Sequence, residues 1–178
     1  MAADTFTLPN YAEPALYTRN NLAPITRSVK FALADLIGAA GSAADPLETS
    51  DVIKIFKLPP DVKILGARFD CGDLESSTGA LELDLVITNG TTTKYLFDGL
   101  TTAPRAGGSA HTAALTSVEG VLHAFEANSA VLWVVDNDNY YVAINVVAGA
   151  TAAGADDDIA VSVQYTSALE SNEASFRS

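Results

Sequence analysis

Between Val131 and Thr166 the apolar residues recur with the spacing of extended chain. Three runs stand out: Val131-Leu-Trp-Val-Val135, Tyr140-Tyr-Val-Ala-Ile-Asn-Val-Val147 and Ile159-Ala-Val-Ser-Val-Gln-Tyr165. In the last, Ile159, Val161, Val163 and Tyr165 fall on one side, and Ala160, Ser162, Gln164 and Thr166 on the other. A period of two marks a strand with one buried face. Asp136-Asn-Asp-Asn139 between the first two runs predicts a tight hairpin, because these short polar residues tolerate turn dihedrals. Ala148 to Asp158 is small-sided and acidic and predicts an exposed loop. Its triplet Asp156–Asp158 is placed to keep a strand edge from pairing with other chains.

Upstream, Val52-Ile-Lys-Ile-Phe-Lys-Leu58 reads as a strand stopped by Pro59-Pro60, which cannot continue a ladder. Val62 to Phe69 is the next strand. Leu81, Leu83, Leu85 and Ile87 share one face of a further strand, with Glu82 and Asp84 on the other. Asn89-Gly90 is a hairpin-turn pair whose residues accept positive φ, and Thr92 to Phe97 returns beside it. Thr26 to Leu36 fits a strand by the alternation of Val29, Phe31 and Leu33, although Phe31 to Ile37 also fits two helical turns. The strand is the preferred reading, followed by a loop from Gly38 to Pro46. Asp98 to Ala114, broken by Gly99, Pro104, Gly107 and Gly108, predicts a loop, and Val118 to Phe125 fits either a strand or a short helix.

Residues 1–25 predict an extended N-terminal arm. Pro9, Pro14 and Pro24 discourage helix and ladder alike, and Tyr11, Leu16, Tyr17 and Leu22 are apolar anchors between them. Residues 26–166 then form the β domain and residues 167–178 a polar, loose tail. About eight or nine short strands with regular turn signals give an all-β fold, an antiparallel jelly roll or β-sandwich with an N-terminal arm.

At 178 residues the chain fits one domain, and 48% apolar against 18% charged residues is a globular composition. The net charge of −12 argues against phosphate backbones, and so nucleic acid, as the main ligand. Residues 1–30 hold Arg19, Arg27 and Lys30 against Asp4 and Glu13, a net of +1, so the remainder carries −13. Cys71 has no second cysteine to pair with. The start lacks the basic and apolar regions of a secretory signal, which predicts synthesis and folding in a cytosol. No apolar run reaches the roughly 18 residues of a membrane span, so no membrane partner is expected.

Candidate chemistry is sparse. His111 and His123 have no neighbour in sequence suited to metal binding or base catalysis, and no Gly-x-Ser-x-Gly elbow occurs. Gly107-Gly108 lacks the Lys-Ser/Thr of a phosphate loop. Asp136–Asn139 and Asp156–Asp158 are the calcium candidates by oxygen content, but the residues a calcium loop needs as Gly and Glu are Tyr141 and Val147. Solvated turns are the better reading of both. The acidic neighbours Asp70 and Asp73 disfavour a thiolate at Cys71, and Trp133 reads as a core or interface aromatic. Tyr140 and Tyr141 point to opposite faces, so one of them is exposed. No catalytic, cofactor or metal residues are assigned, and the chain is not expected to be an enzyme.

Several segments together resemble the small virion proteins of tailed bacteriophages. Asp51 to Asp70 carries a strand ending at a Leu-Pro turn and a second strand with a Gly-containing run. The resemblance continues through Asp73-Leu, Leu81 to Thr88 and Lys94-Tyr-Leu-Phe-Asp-Gly99, and closes with Tyr141 to Val147 and Ile159 to Tyr165. It implies a decoration or cement protein of the head: a jelly roll that trimerises on the outer capsid surface, with the major capsid protein as partner. It implies no active-site residues. The arm residues Tyr11, Leu16, Tyr17, Arg19 and Leu22 are then the expected contacts to the shell or an adjacent subunit. A receptor- or glycan-binding head-fibre or tail module on a similar fold is the alternative.

Overall fold

A computed structural model describes residues 4–9, 11, 24–38, 44, 46–59, 62–75, 79–101, 104–105, 107–111, 134–135 and 139–167. These form ten strands: β1 (Thr5–Thr7), β2 (Ile25–Ala32), β3 (Val52–Lys57), β4 (Val62–Cys71), β5 (Glu82–Thr88), β6 (Thr93–Leu100), β7 (Gly108–His111), β8 (Val134–Val135), β9 (Tyr141–Ala148) and β10 (Asp158–Ser167). One sheet has the order β1-β3-β9-β5-β6. The other runs β2-β10-β4-β7, with β8 also pairing β4. All pairings are antiparallel except β1 with β3. The protein is an all-β sandwich.

Its core follows from the alternation read in the sequence. Ile159, Val161, Val163 and Tyr165 of β10 are fully buried, as are Leu83, Leu85, Val142 and Ile144 of β5 and β9. These side chains belong to one apolar cluster between the sheets. Two bulges explain where the period of two breaks. In β4 the register against β10 shifts so that Leu65 is an extra residue, and burial moves from Val62 and Ile64 to Ala67 and Phe69. In β3 the shift falls between Lys54 and Phe56, so Ile55 and the adjacent Phe56 are both buried.

The C-terminal strands are arranged differently from the sequence expectation. β8 pairs β4 in the second sheet, whereas β9 lies in the first and β10 in the second. Residues 136–138 of the expected turn lie outside the described residues, and β8 and β9 do not pair with each other. The reason is packing: β9 and β10 each have a strongly apolar inner face, and each takes a central place in a different sheet. The small-sided loop 149–157 carries the chain across. Because β10 is flanked by β2 and β4, the triplet Asp156–Asp158 does not guard an edge.

Smaller differences have local causes. Gly108–His111, expected as loop, is β7: Gly107 at φ 69° turns the chain onto the open ladder of β4. β2 stops at Ala32 because Asp157 draws the next residues into a turn. Its backbone oxygen accepts Leu33 N at 3.0 Å and its carboxylate accepts Ala34 N at 2.7 Å. In the β5–β6 hairpin only Gly90 takes positive φ. Asn89 instead accepts the N–H groups of Thr91 and Thr92 on its side-chain oxygen. The expected strand or helix at Val118–Phe125, residues 131–133 of the expected strand Val131–Val135, and the tail beyond Ser167 lie outside the described residues.

The N-terminal span is tied into this fold. β1 adds a parallel edge to β3, with Phe6 and Leu8 buried in the core cluster. Beyond it Tyr11 N donates to Leu8 O, and Lys57 N donates to Tyr11 O at 3.1 Å. The chain re-enters as β2 at Ile25, so residues 12–23 connect two anchored points. Phe6→Ala is expected to cost about 3–5 kcal/mol, the range for a buried aromatic truncation, read as a lower denaturant midpoint. A change within the error of that midpoint would show that β1 is not part of the core.

Candidate contact surface

The strand registers sort the charged residues by position. At one end of the sandwich lie the β5–β6 hairpin, Lys57 opposite Tyr141, and Tyr141 opposite Thr88. Arg27 joins the second sheet to this end, its Nη1 3.5 Å from Lys57 O and its guanidinium 4.5 Å from the centre of the buried Phe56 ring. The other end holds the starts of β3 and β10, the end of β4 and the loop 149–157. Every Asp and Glu among the described residues lies toward that second end, from Asp4 beside Val52 to Asp156–Asp158.

Cations at the acidic end are neutralised locally. Lys30 pairs with Asp158 at 2.5 Å, Arg68 with Asp70 at 2.6 Å, and Arg105 lies 4.0 Å from Glu75. At the hairpin end Lys54 and Lys57 meet no carboxylate among the described residues and sit instead over aromatic rings. Lys54 Nζ is 5.2 Å from the Tyr141 ring centre and Lys57 Nζ 5.8 Å from that of Tyr11. The two tyrosines meet edge to face at 5.7 Å. All four side chains are half-buried. Burial and then the neighbouring Tyr141 push the Tyr11 hydroxyl pKa upward, so it is an uncharged donor and acceptor at neutral pH.

Of the contact residues expected from sequence, Tyr11 thus belongs to a built aromatic–cation face. Leu16, Tyr17, Arg19 and Leu22 lie outside the described residues. Lys54, Lys57 and Tyr141 were not singled out as contacts. The available signals were the outward place of Tyr141 next to the buried Tyr140 and two lysines in a strand of an acidic chain.

The open side of the sandwich, between edge strands β1 and β2, forms a cleft of about 530 Å³ lined by Leu8, Val29, Phe31 and Ile55 with Arg27 and Lys30 among its walls. A charge pointing inward from an edge strand and a lysine on the same strand are devices that discourage strand addition.

The acidic triplet uses its oxygens on its own chain. Asp156 Oδ1 accepts Asp158 N at 3.1 Å, Asp157 binds Ala34 N, and Asp158 holds Lys30. Its carboxylates gather within 4.8 Å of one another, an arrangement these turn contacts account for. Cys71 ends β4 and is half-buried.

Two carboxyls at this end respond to burial in opposite ways. Burial alone would raise the Glu75 pKa, but the N–H groups of Thr151 and Leu81, the Thr151 hydroxyl and Arg105 outweigh it and hold the carboxyl below its usual range. Asp84 was expected on a polar face, yet it is 6% exposed, beside the fully buried Val86 on that face. It receives one backbone N–H, from Gly99 at 2.9 Å, where β6 carries an extra residue against β5. Burial first, then the neighbouring Asp98 and Glu82 carboxylates, push it up to about 6.

Folded Asp84 therefore holds its proton more tightly than the unfolded chain does. Its contribution to stability is full below about pH 3.8 and is lost as pH rises through about 6. Asp84→Asn is expected to raise the Tm at about pH 7.5 and to leave it nearly unchanged at about pH 4. Thermal unfolding across that range checks this, and an equal effect at both ends would remove titration as the cause.

No protein-family model and no curated protein sequence matches the chain. Among solved structures, a chain in the capsid of Ralstonia phage GP4 is similar, with a TM-score of 0.55 and 19% identity. The match covers 82% of this chain and 84% of that one. A chain in the capsid asymmetric unit of cyanophage Pam1 matches with a TM-score of 0.50 and 19% identity, over 81% of this chain and 83% of that one. At that identity the likeness is one of fold.

Proposed function

We propose that the chain is a structural protein of a tailed-phage virion: a decoration or cement protein that binds the outer surface of the capsid and stabilises it. The observation that carries the reading is the fold likeness, which spans more than four-fifths of this chain and of chains from two phage capsids. In this reading the sandwich is a jelly roll that acts as a homotrimer, with the major capsid protein as its partner and no catalytic role.

The physical fit lies in the surface. Cement proteins act through many symmetry-repeated contacts, so each contact can be weak while the sum holds the shell. The Tyr11 face offers aromatic area of the kind that anchors protein contacts. In this reading Leu16, Tyr17, Arg19 and Leu22, which follow Tyr11 in the sequence, are the contacts to the shell or an adjacent subunit.

Light scattering of the purified protein, followed by pelleting with empty capsids, tests the proposal. A trimer that co-sediments at a fixed ratio to the shell protein is the expected result. A monomer that stays in the supernatant would overturn it in favour of a receptor- or glycan-binding module. Removing residues 1–25 is a poor probe of the contact, because it also deletes Phe6 and Leu8 from the core. Combined Leu16→Ala, Tyr17→Ala and Leu22→Ala substitutions are expected to lower capsid binding with the Tm unchanged.

A further inference from the structure

We infer that the face built from Tyr11, Tyr141, Lys54 and Lys57 is a docking surface for the acidic end of a second copy of this chain. The inference rests on the reading of the chain as a self-assembling virion component, and it names the contact.

The argument begins with charge segregation. The described carboxylates lie toward one end, where Lys30, Arg68 and Arg105 are each matched by an acid. Lys54 and Lys57 lie toward the other end, over tyrosine rings and with no carboxylate partner among the described residues. A chain of net charge −12 therefore presents, among the described residues, a cationic face whose complement is the acidic end of an identical chain. Repulsion between two such molecules does not prevent this. Exposed charges are screened beyond about 8 Å at physiological salt, so the groups in contact decide the sign of the interaction.

The face also has what a charge pair alone lacks. Exposed salt bridges are individually weak, too weak to specify a partner. The edge-to-face tyrosine pair adds apolar area, held in place by the Lys57 N to Tyr11 O bond at its base. Each lysine is already positioned over a ring. The complementary groups are Asp35 and Asp156, both exposed. They are brought together by the bonds from Leu33 and Ala34 to Asp157.

Because the two patches differ, the contact is heterologous and each copy uses one patch of each kind. Such contacts close into a ring when the rotation between copies allows it. The homotrimer proposed above is one such ring.

Charge exchange on the full chain tests the contact. Wild-type protein is expected to self-associate in sedimentation velocity at about 50 mM salt and to weaken by about tenfold or more at about 500 mM. Lys54→Glu with Lys57→Glu, and separately Asp35→Lys with Asp156→Lys, are each expected to lose association while keeping the wild-type circular dichroism spectrum. Mixing the two variants is expected to restore pairing between unlike copies, because a reversed face then meets a reversed end, although a closed ring of three cannot alternate and keeps one mismatched contact. Association that ignores salt and both reversals, or a wild-type chain that stays monomeric, overturns the inference. The capsid-binding proposal is judged separately: if wild-type protein pellets with shells while both reversed variants keep their self-association, only this contact is lost.

Discussion

The sandwich depends on burying the inner faces of its last two strands. β9 and β10 each sit inside a sheet, flanked on both sides by strands formed far earlier in the chain. Val142, Ile144, Val146, Ile159, Val161, Val163 and Tyr165 are all within 2% of complete burial. Neither sheet is continuous without them, since β3 has no other route to β5, nor β2 to β4. The ladders that join β3 to β5 and β2 to β4 must therefore wait for the C-terminal part of the chain. Folding dominated by such distant pairings is slow and cooperative, because loop closure precedes the contacts that repay it.

That topology also brings the acids together. The crossing from β9 to β10 and the turns after β2 and β4 meet at one end, and their sequences are rich in Asp and Glu. The number of donors decides what becomes of each carboxylate there. Glu75, with two backbone N–H bonds, the Thr151 hydroxyl and Arg105 nearby, stays ionised although its side chain is buried. It ties the chain before β5 to the loop after β9. Asp84, with one N–H bond and two acidic neighbours, holds its proton into the weakly acidic range. The two act on stability with opposite slopes in pH: the Glu75 contribution is lost as pH falls below the range of a normal carboxylate, and the Asp84 contribution is lost as pH rises.

Much of the fold was legible because it rests on strand alternation and turn chemistry. The buried faces of β5 and β10, the proline stop after β3 and the Asn89-Gly90 hairpin follow from side-chain period and local geometry. Strand order was not legible. Nothing in Val131–Val147 distinguishes a hairpin from two strands sent to opposite sheets, since the same inner-face pattern satisfies both. β7 was missed because Gly108–His111 has little strand propensity of its own and pairs because the edge of β4 is available. The break in β4 after Ile64 is a bulge, which alternation alone reads as a misplaced hydrophobe.

Of the aromatic–cation face only Tyr11 was singled out from the sequence, and the reason is physical. An aromatic in a proline-spaced segment is visible in sequence, whereas a cationic face exists only once registers align residues from separate strands. Lys54 and Lys57 acquire their character from Tyr141 and Tyr11, which lie far from them along the chain. Their significance comes from position: the same two lysines at the other end would be absorbed into the local ion pairs that occupy Lys30 and Arg68. Among the described residues the charge is acidic over one end of the sandwich and cationic at this aromatic face, so the two favour partners of opposite charge. Such polarity bears on orientation more than on the strength of any single contact, because complementary charge fixes which way round two surfaces meet.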